Sequence, residues 1–217
     1  MSCINKEIFS NERIRELAIQ ASLDITNCLR GSNSNIDSSA SILAAYLLYK
    51  ISSYNDPFSF SYQDILDGYL DATKDVGFLV GDQLDEITWE SLKQLITKYP
   101  PEVFAFAALL QDKRSSDATP DSLVFLAQKI LEVKPRDLVA DIGCGWGTFL
   151  IASSLSEPNA QYYGYEVNAA NKVIASIRAE LIDCDMQIQL IDAFSLLEQD
   201  DSRLNYFDKV FSNYPFG

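Results

Sequence analysis

Apolar residues recur at steps of three and four from Ile8 through Ile14, Leu17, Ala18, Ala21, Ile25 and Leu29, and the pattern halts at Gly31. That spacing lines one face of a helix and gives it a glycine stop. The polar stretch SNSNIDSS at 32–39 predicts a loop whose last serines cap a second, strongly apolar helix over about 40–52. After a turn around Asn55-Asp56-Pro57 the helical pattern resumes over 61–73, 86–98 and 100–111, with Pro100 and Pro101 placed to open the last of these. A helical bundle is the natural closure for residues 1–113. From Leu123 the period changes. A helix over 120–133 precedes strands near 137–142, 161–166, 186–191 and 207–212, with helices at 147–156 and 168–182 and a short one near 194–199. Strands alternating with helices predict a parallel sheet with crossover helices. The expected class is therefore α/β, with a helical N-terminal domain at 1–113, a polar linker from Asp112 to Asp117, and a doubly wound sheet domain at 117–217.

With 217 residues and 47% hydrophobic content, the chain can bury one sizeable core or two modest ones. The longest apolar runs, Ile42 to Tyr49 and Val103 to Leu110, fall well short of the ~20 residues a membrane span needs. The first ten residues, MSCINKEIFS, lack a secretory core. A cytoplasmic protein that does not enter a membrane is expected. The four cysteines form no C-x-x-C pair and histidine is absent, so a zinc site, a His-based triad and any other metal site are not expected. Seventeen basic residues against 31 acidic ones give a net charge of −14, which repels a phosphate backbone. Dividing the chain after Ser116 leaves 10 basic and 16 acidic residues before it and 7 and 15 after it, so neither half conceals a basic face.

The strongest local signal is D-I-G-C-G-W-G, Asp141 to Gly147, set between the apolar strand ending L-V-A and the helix beginning T-F-L-I-A. Gly143, Gly145 and Gly147 allow the backbone to turn sharply and approach a ligand, because they carry no Cβ. A ligand-free turn is the alternative. Dinucleotide enzymes space their glycines G-x-G-x-x-G, whereas here the pattern is D-x-G-x-G-x-G. The leading Asp141 also disfavours a pyrophosphate and suits a cationic ligand.

These residues, with Ile142 between them, resemble the first motif of the class I S-adenosylmethionine-dependent methyltransferases. The resemblance implies a Rossmann-like sheet and S-adenosylmethionine as cofactor. Glu166, 25 residues beyond Asp141 at the end of Y-Y-G-Y-E, stands where an acid accepts the ribose hydroxyls, although it could instead be an exposed acid at a helix start. Asp192, after M-Q-I-Q-L-I, matches the acid that accepts from the adenine amino group, with Ala193 and Phe194 packing on the ring; capping the following short helix is its other reading.

The fourth strand runs into N-Y-P-F-G at 213–217, similar to the D/N-P-P-Y/F motif of methyltransferases that modify exocyclic or amide nitrogen. Tyr214 stands where that family has the first proline. By the resemblance, Asn213 and the Tyr214 carbonyl draw the amino hydrogens out of the ring plane, Pro215 shapes the turn, and Phe216 stacks on a flipped base. A plain turn after a strand is the alternative. Thr119 and Pro120 match a T-P pair that contacts the cofactor's methionine end in adenine-N6 methylases, and they also suit the N-cap and first turn of a helix.

The order of these motifs downstream of a helical domain is similar to the methylation subunit of type I restriction-modification systems. It implies transfer of methyl to adenine N6 in DNA. Cytosine N4, guanine N2 in RNA, protein glutamine, or a non-catalytic cofactor-binding subunit remain alternatives. Family members continue past the catalytic motif, so the chain is expected to be a truncated piece, inactive alone. Contact with DNA would come through a missing C-terminal region or a separate specificity subunit, and a protein partner or a second copy is a further expectation.

Overall fold

The computed structural model describes residues 11–30, 38–64, 84–110, 119–193, 195 and 206–213. It divides into two compact units, Met1–Leu110 and Gln111–Gly217.

In the first unit, α1 (Glu12–Arg30) buries Ala18, Ala21, Ile25 and Leu29, the stripe that the periodicity marks. Asn11 opens it by accepting the Ile14 N–H at 3.2 Å, while Ile8 lies outside the described residues. Helix α2 (Ser38–Ser52) starts two residues earlier than predicted and buries Ile42, Leu43, Ala44, Ala45, Leu47, Leu48 and Ile51. The 86–98 segment divides into α3 (Glu86–Lys93) and a 3-10 turn, Gln94–Thr97. Asp85 caps α3 by accepting the Thr88 N–H at 2.7 Å. Of the helix expected at 61–73, residues beyond 64 lie outside those described.

Helix α4 (Pro101–Leu109) is buried on every side from Val103 to Ala108, as a helix without a polar face must be. It packs against both α1 and α2. Polar ties close the bundle. The Asp24 carboxylate accepts from Lys98 and, at 2.7 Å, from the Tyr99 hydroxyl, which fastens α1 to the turn before α4. Lys93, almost fully buried, donates to the carbonyls of Phe58 and Phe60 at 3.3 and 2.9 Å.

The second unit begins with α5 (Asp121–Leu131) and continues through β1 (Leu138–Ile142), α6 (Thr148–Ser156), β2 (Gln161–Glu166), α7 (Ala169–Leu181), β3 (Met186–Leu190) and β4 (Lys209–Phe211). All pairings are parallel, in the order β3-β2-β1-β4. Strand order reverses beside β1, between its neighbours β2 and β4, which is where an open α/β sheet leaves a crevice at its carboxyl edge. Along β1, Val139 packs with Tyr162, Phe149, Leu150, Val124 and Ala127, whereas Ala140 packs with Tyr163, Tyr165 and Phe207. That alternation is the two-residue period of a strand buried on both faces. Phe211 of β4 stacks on Phe149 of α6 with centroids 4.3 Å apart.

Strand β4 is shorter than the predicted 207–212, and the short helix near 194–199 lies almost wholly outside the described residues. At the start of α5 the expectation fails by one residue. Pro120, not Thr119, occupies the N-cap position and provides no side-chain cap, its carbonyl accepting from Leu123 and Val124. Proline has the extended backbone that a cap needs, so the helix starts without Thr119. Among the described residues no helix is long and apolar enough to cross a membrane.

Candidate cofactor site at the carboxyl edge of the sheet

The loop between β1 and α6 holds three consecutive reversals. Gly143, Gly145 and Gly147 have φ of 72°, 54° and 70°, left-handed values that glycine adopts without strain. At Gly147 a side chain would also meet the Cβ of Ala175 at 3.3 Å, so the loop sits tightly on α7. The N–H groups of Gly143 and Cys144 both donate to the carbonyl of Tyr165 in β2, which anchors the loop to the neighbouring strand. Cys144 fills a place that only glycine leaves open. A Cβ at Gly164 would come within 2.9 Å of the Cys144 sulfur and 2.7 Å of Ile188 Cδ1.

Glu166 ends β2 and turns inward. Its Oε2 accepts the Gly145 N–H at 2.8 Å, and its Oε1 accepts the N–H groups of Val167 and Asn168, each at 2.8 Å. The alternative of an exposed helix-start acid is therefore excluded, since Glu166 is 6% exposed and Asn168 performs the capping of α7, accepting from Ala170 and Asn171. Hydrogen bonds to an ionised acceptor contribute about 1.5–3 kcal/mol each; the one from Gly145 ties the glycine loop to the end of β2, and the other two fix Glu166 against its own turn.

Asp141 ends β1 in register with Gly164 of β2 and Phe211 of β4. It is 2% exposed, and its Oδ1 has no hydrogen-bond partner among the described residues. Burial, and secondarily the Glu166 charge, push its pKa up to about 8. The Cys144 thiol is raised as well, first by burial and then by the two acids.

Trp146, inside the loop, is buried, and its Nε1 donates to Asn171 of α7 at 3.0 Å. The buried Arg178 donates from Nη1 to the Trp146 carbonyl at 2.7 Å and approaches Thr148 Oγ1 at 3.4 Å. Burial lowers the Arg178 pKa to about 10, against the opposing influence of Asp121 at the start of α5. That influence places the first turn of α5, next to Thr119 and Pro120, in electrostatic reach of the residue that ties down the loop. Neither Trp146 nor Arg178 was among the predicted site residues. An arginine amid Val173, Ile174, Ile177 and Leu181 on the buried side of α7 was the available signal.

Asp192 follows β3 and is exposed, accepting from the Ser195 hydroxyl at 3.2 Å; Ala193 beside it is half-buried. Beyond β4, Ser212 donates to the carbonyl of Ile142 at 2.9 Å, which brings Asn213 to the carboxyl end of β1. Phe194, Tyr214, Pro215 and Phe216 lie outside the described residues. Among the described residues no group of three or more potential metal ligands comes together.

The model of a family described as N-6 DNA Methylase matches residues 105–217, slightly more than half of the chain. No functionally curated protein matches the sequence. Among the solved structures that share the fold are two at 14% identity, each with a TM-score of 0.54. One is a Listeria monocytogenes protein assigned as a class I S-adenosylmethionine-dependent methyltransferase, and the match covers 95% of this chain and 60% of that one. The other is the methyltransferase subunit of a type I restriction-modification system from Streptococcus thermophilus, with 93% and 64% covered. This chain thus spans about three fifths of the length of those structures.

Proposed function

Because the chain belongs to the N-6 DNA Methylase family, we propose that its second unit binds S-adenosylmethionine at the glycine loop and supplies the amino-group end of an adenine-N6 methyltransferase. The observation that carries this reading is Asp141, a buried carboxylate with an unpartnered oxygen at the carboxyl end of β1, beside a loop whose three glycines all have positive φ. A site built this way favours a cationic nucleoside over a pyrophosphate, because a buried carboxyl ionises readily against ammonium or sulfonium and has nothing to offer a phosphate.

The residue roles follow from the donors and acceptors present. Glu166 has one acceptor position left on Oε2 beyond the Gly145 N–H, suited to a ribose hydroxyl, while Gly143, Gly145 and Gly147 let the nucleoside approach the main chain. Ile142, Asp192, Ala193 and Phe194 would border the adenine, and Thr119 and Pro120 the methionine end. The cofactor supplies a methyl group on a sulfonium centre. Asn213 and the Tyr214 carbonyl would accept the two hydrogens of the target amino group and hold its lone pair out of conjugation, with Pro215 and Phe216 shaping the base pocket.

The net charge of −14 favours a division of labour in which DNA is held by other parts of the whole protein or by a separate specificity subunit in a restriction-modification-like system. The cytoplasm is the proposed place of action. Calorimetric titration of the chain with S-adenosylmethionine tests the cofactor assignment; a folded sample that gives no heat at millimolar ligand would sink it. The acceptor is tested in the complete protein. Host DNA should lose N6-methyladenine when Asn213→Ala replaces the native chain, and unchanged methylation would remove Asn213 from the reaction.

A further inference from the structure

The carboxyl ends of β1 and β2 place two carboxylates side by side out of solvent. Glu166 is satisfied as an anion by three main-chain N–H groups at 2.8 Å. Asp141 has no comparable set, and its Oδ1 meets no donor among the described residues. Two adjacent buried carboxylates with donors for only one of them do not both stay charged at neutral pH, because each loses hydration and repels the other.

Among the described residues, no donor reaches Asp141 Oδ1. Beside it, β2 contributes Glu166 and β4 contributes Phe211 and Ser212; Leu190 of β3 lies opposite Glu166. The loop contributes the Cys144 thiol, which burial and both acids keep neutral. On α7, Arg178 gives Nη1 to the Trp146 carbonyl, and the acid that acts on it is Asp121 of α5. Among the described residues, burial first and the Glu166 charge second both favour the neutral form of Asp141.

We infer that the ligand-free protein holds this acid pair as one anion and one neutral acid, with the proton on Asp141, and that a cationic group bound against Asp141 releases the proton to solvent. The exchange balances: the neutral acid and a monocationic group become an ion pair, and one proton passes to the buffer. The inference rests on the proposed cationic cofactor for its second half and on the ligand-free geometry for its first. Cofactor affinity then depends on pH, rising about tenfold per unit up to the point where Asp141 ionises unaided.

Two measurements decide it. In the ligand-free chain, carbon-13 labelling of aspartate carboxyls, with Asp141→Asn as the assignment control, should reveal one aspartate that titrates near 8. In Glu166→Gln that midpoint should fall. If every aspartate in the native chain titrates below pH 5, the inference is overturned whether or not any ligand binds. Calorimetry with S-adenosylmethionine at pH 6.5, repeated in buffers of different ionisation enthalpy, should show close to one proton released per bound ligand, and none in Asp141→Asn where binding persists. Binding without proton release overturns the inference and leaves the cofactor assignment standing. No binding by a folded sample overturns the cofactor assignment, while the carboxyl titration still decides the state of Asp141.

Discussion

Replacing Asp141 with asparagine should stabilise the ligand-free protein at neutral and alkaline pH while weakening its hold on the cofactor. The sign follows from the raised acidity constant. In the unfolded chain an aspartate ionises near 3.8, whereas in the folded protein Asp141 keeps its proton until about pH 8. Between those values the native state holds the extra proton, so stability from this residue is complete below about pH 4 and is lost as pH rises through 8. At 1.36 kcal/mol per unit, the full interval corresponds to about 6 kcal/mol, and water entry and relaxation around the charged form reduce the realised loss to about 2–3 kcal/mol. Asparagine has nearly the same shape and never ionises, so its stability is flat over that range. Other groups do not imitate the signal. Asp24 is held below the usual carboxylate range by its hydrogen bond from Lys98, so its contribution is lost only on acidification, and the Cys144 thiol contributes only above about pH 9. Urea unfolding of both proteins at pH 5, 7 and 9 measures the effect. The midpoint of the native chain should fall steadily relative to Asp141→Asn, with the gap largest at pH 9. A gap that is constant with pH, or that favours the native chain at pH 9, would refute the assignment of a buried, uncompensated acid.

Other expectations follow from contacts elsewhere in the chain. Gly164→Ala should cost about 1–3 kcal/mol, because its new methyl meets Ile188 at 2.7 Å and Cys144 at 2.9 Å; adding Cys144→Ala should recover part of the loss in the same urea assay. Glu166→Gln leaves one acceptor oxygen where there were two, so either the Gly145 N–H or the N–H groups of Val167 and Asn168 lose their partner; amide exchange on the side that loses it should quicken at least tenfold without ligand. In the helical unit, Lys93→Met should destabilise by about 1–3 kcal/mol through the orphaned carbonyls of Phe58 and Phe60, read by thermal unfolding; an unchanged midpoint would show that water replaces the ammonium at no cost.

The fold was legible wherever one local period governed a segment. Residues 161–166 have the predicted bounds because tyrosines occupy both faces of the strand and a glycine-free turn follows it, and α1 carries its core stripe where the three-and-four spacing put it. What the sequence could not show lies in cross-chain packing. Gly164 looks like a weak point inside a strand, and only the neighbouring Cys144 and Ile188 reveal why a side chain does not fit. Arg178 looks like a polar residue on an apolar helix face until its bond to the Trp146 carbonyl gives it a purpose 32 residues away in the chain. The acids were found by position but not by state. From sequence, Asp141 and Glu166 are two carboxylates at the ends of neighbouring strands, with similar expected roles. In the folded chain the main chain satisfies one with three N–H donors and leaves an oxygen of the other without any, so the same pair of letters holds two different environments. On the inference of a protonated Asp141, that asymmetry is the reason to expect an aspartate that costs stability at neutral pH, since its carboxyl ionises only against a cationic ligand and so favours the bound state over the ligand-free one.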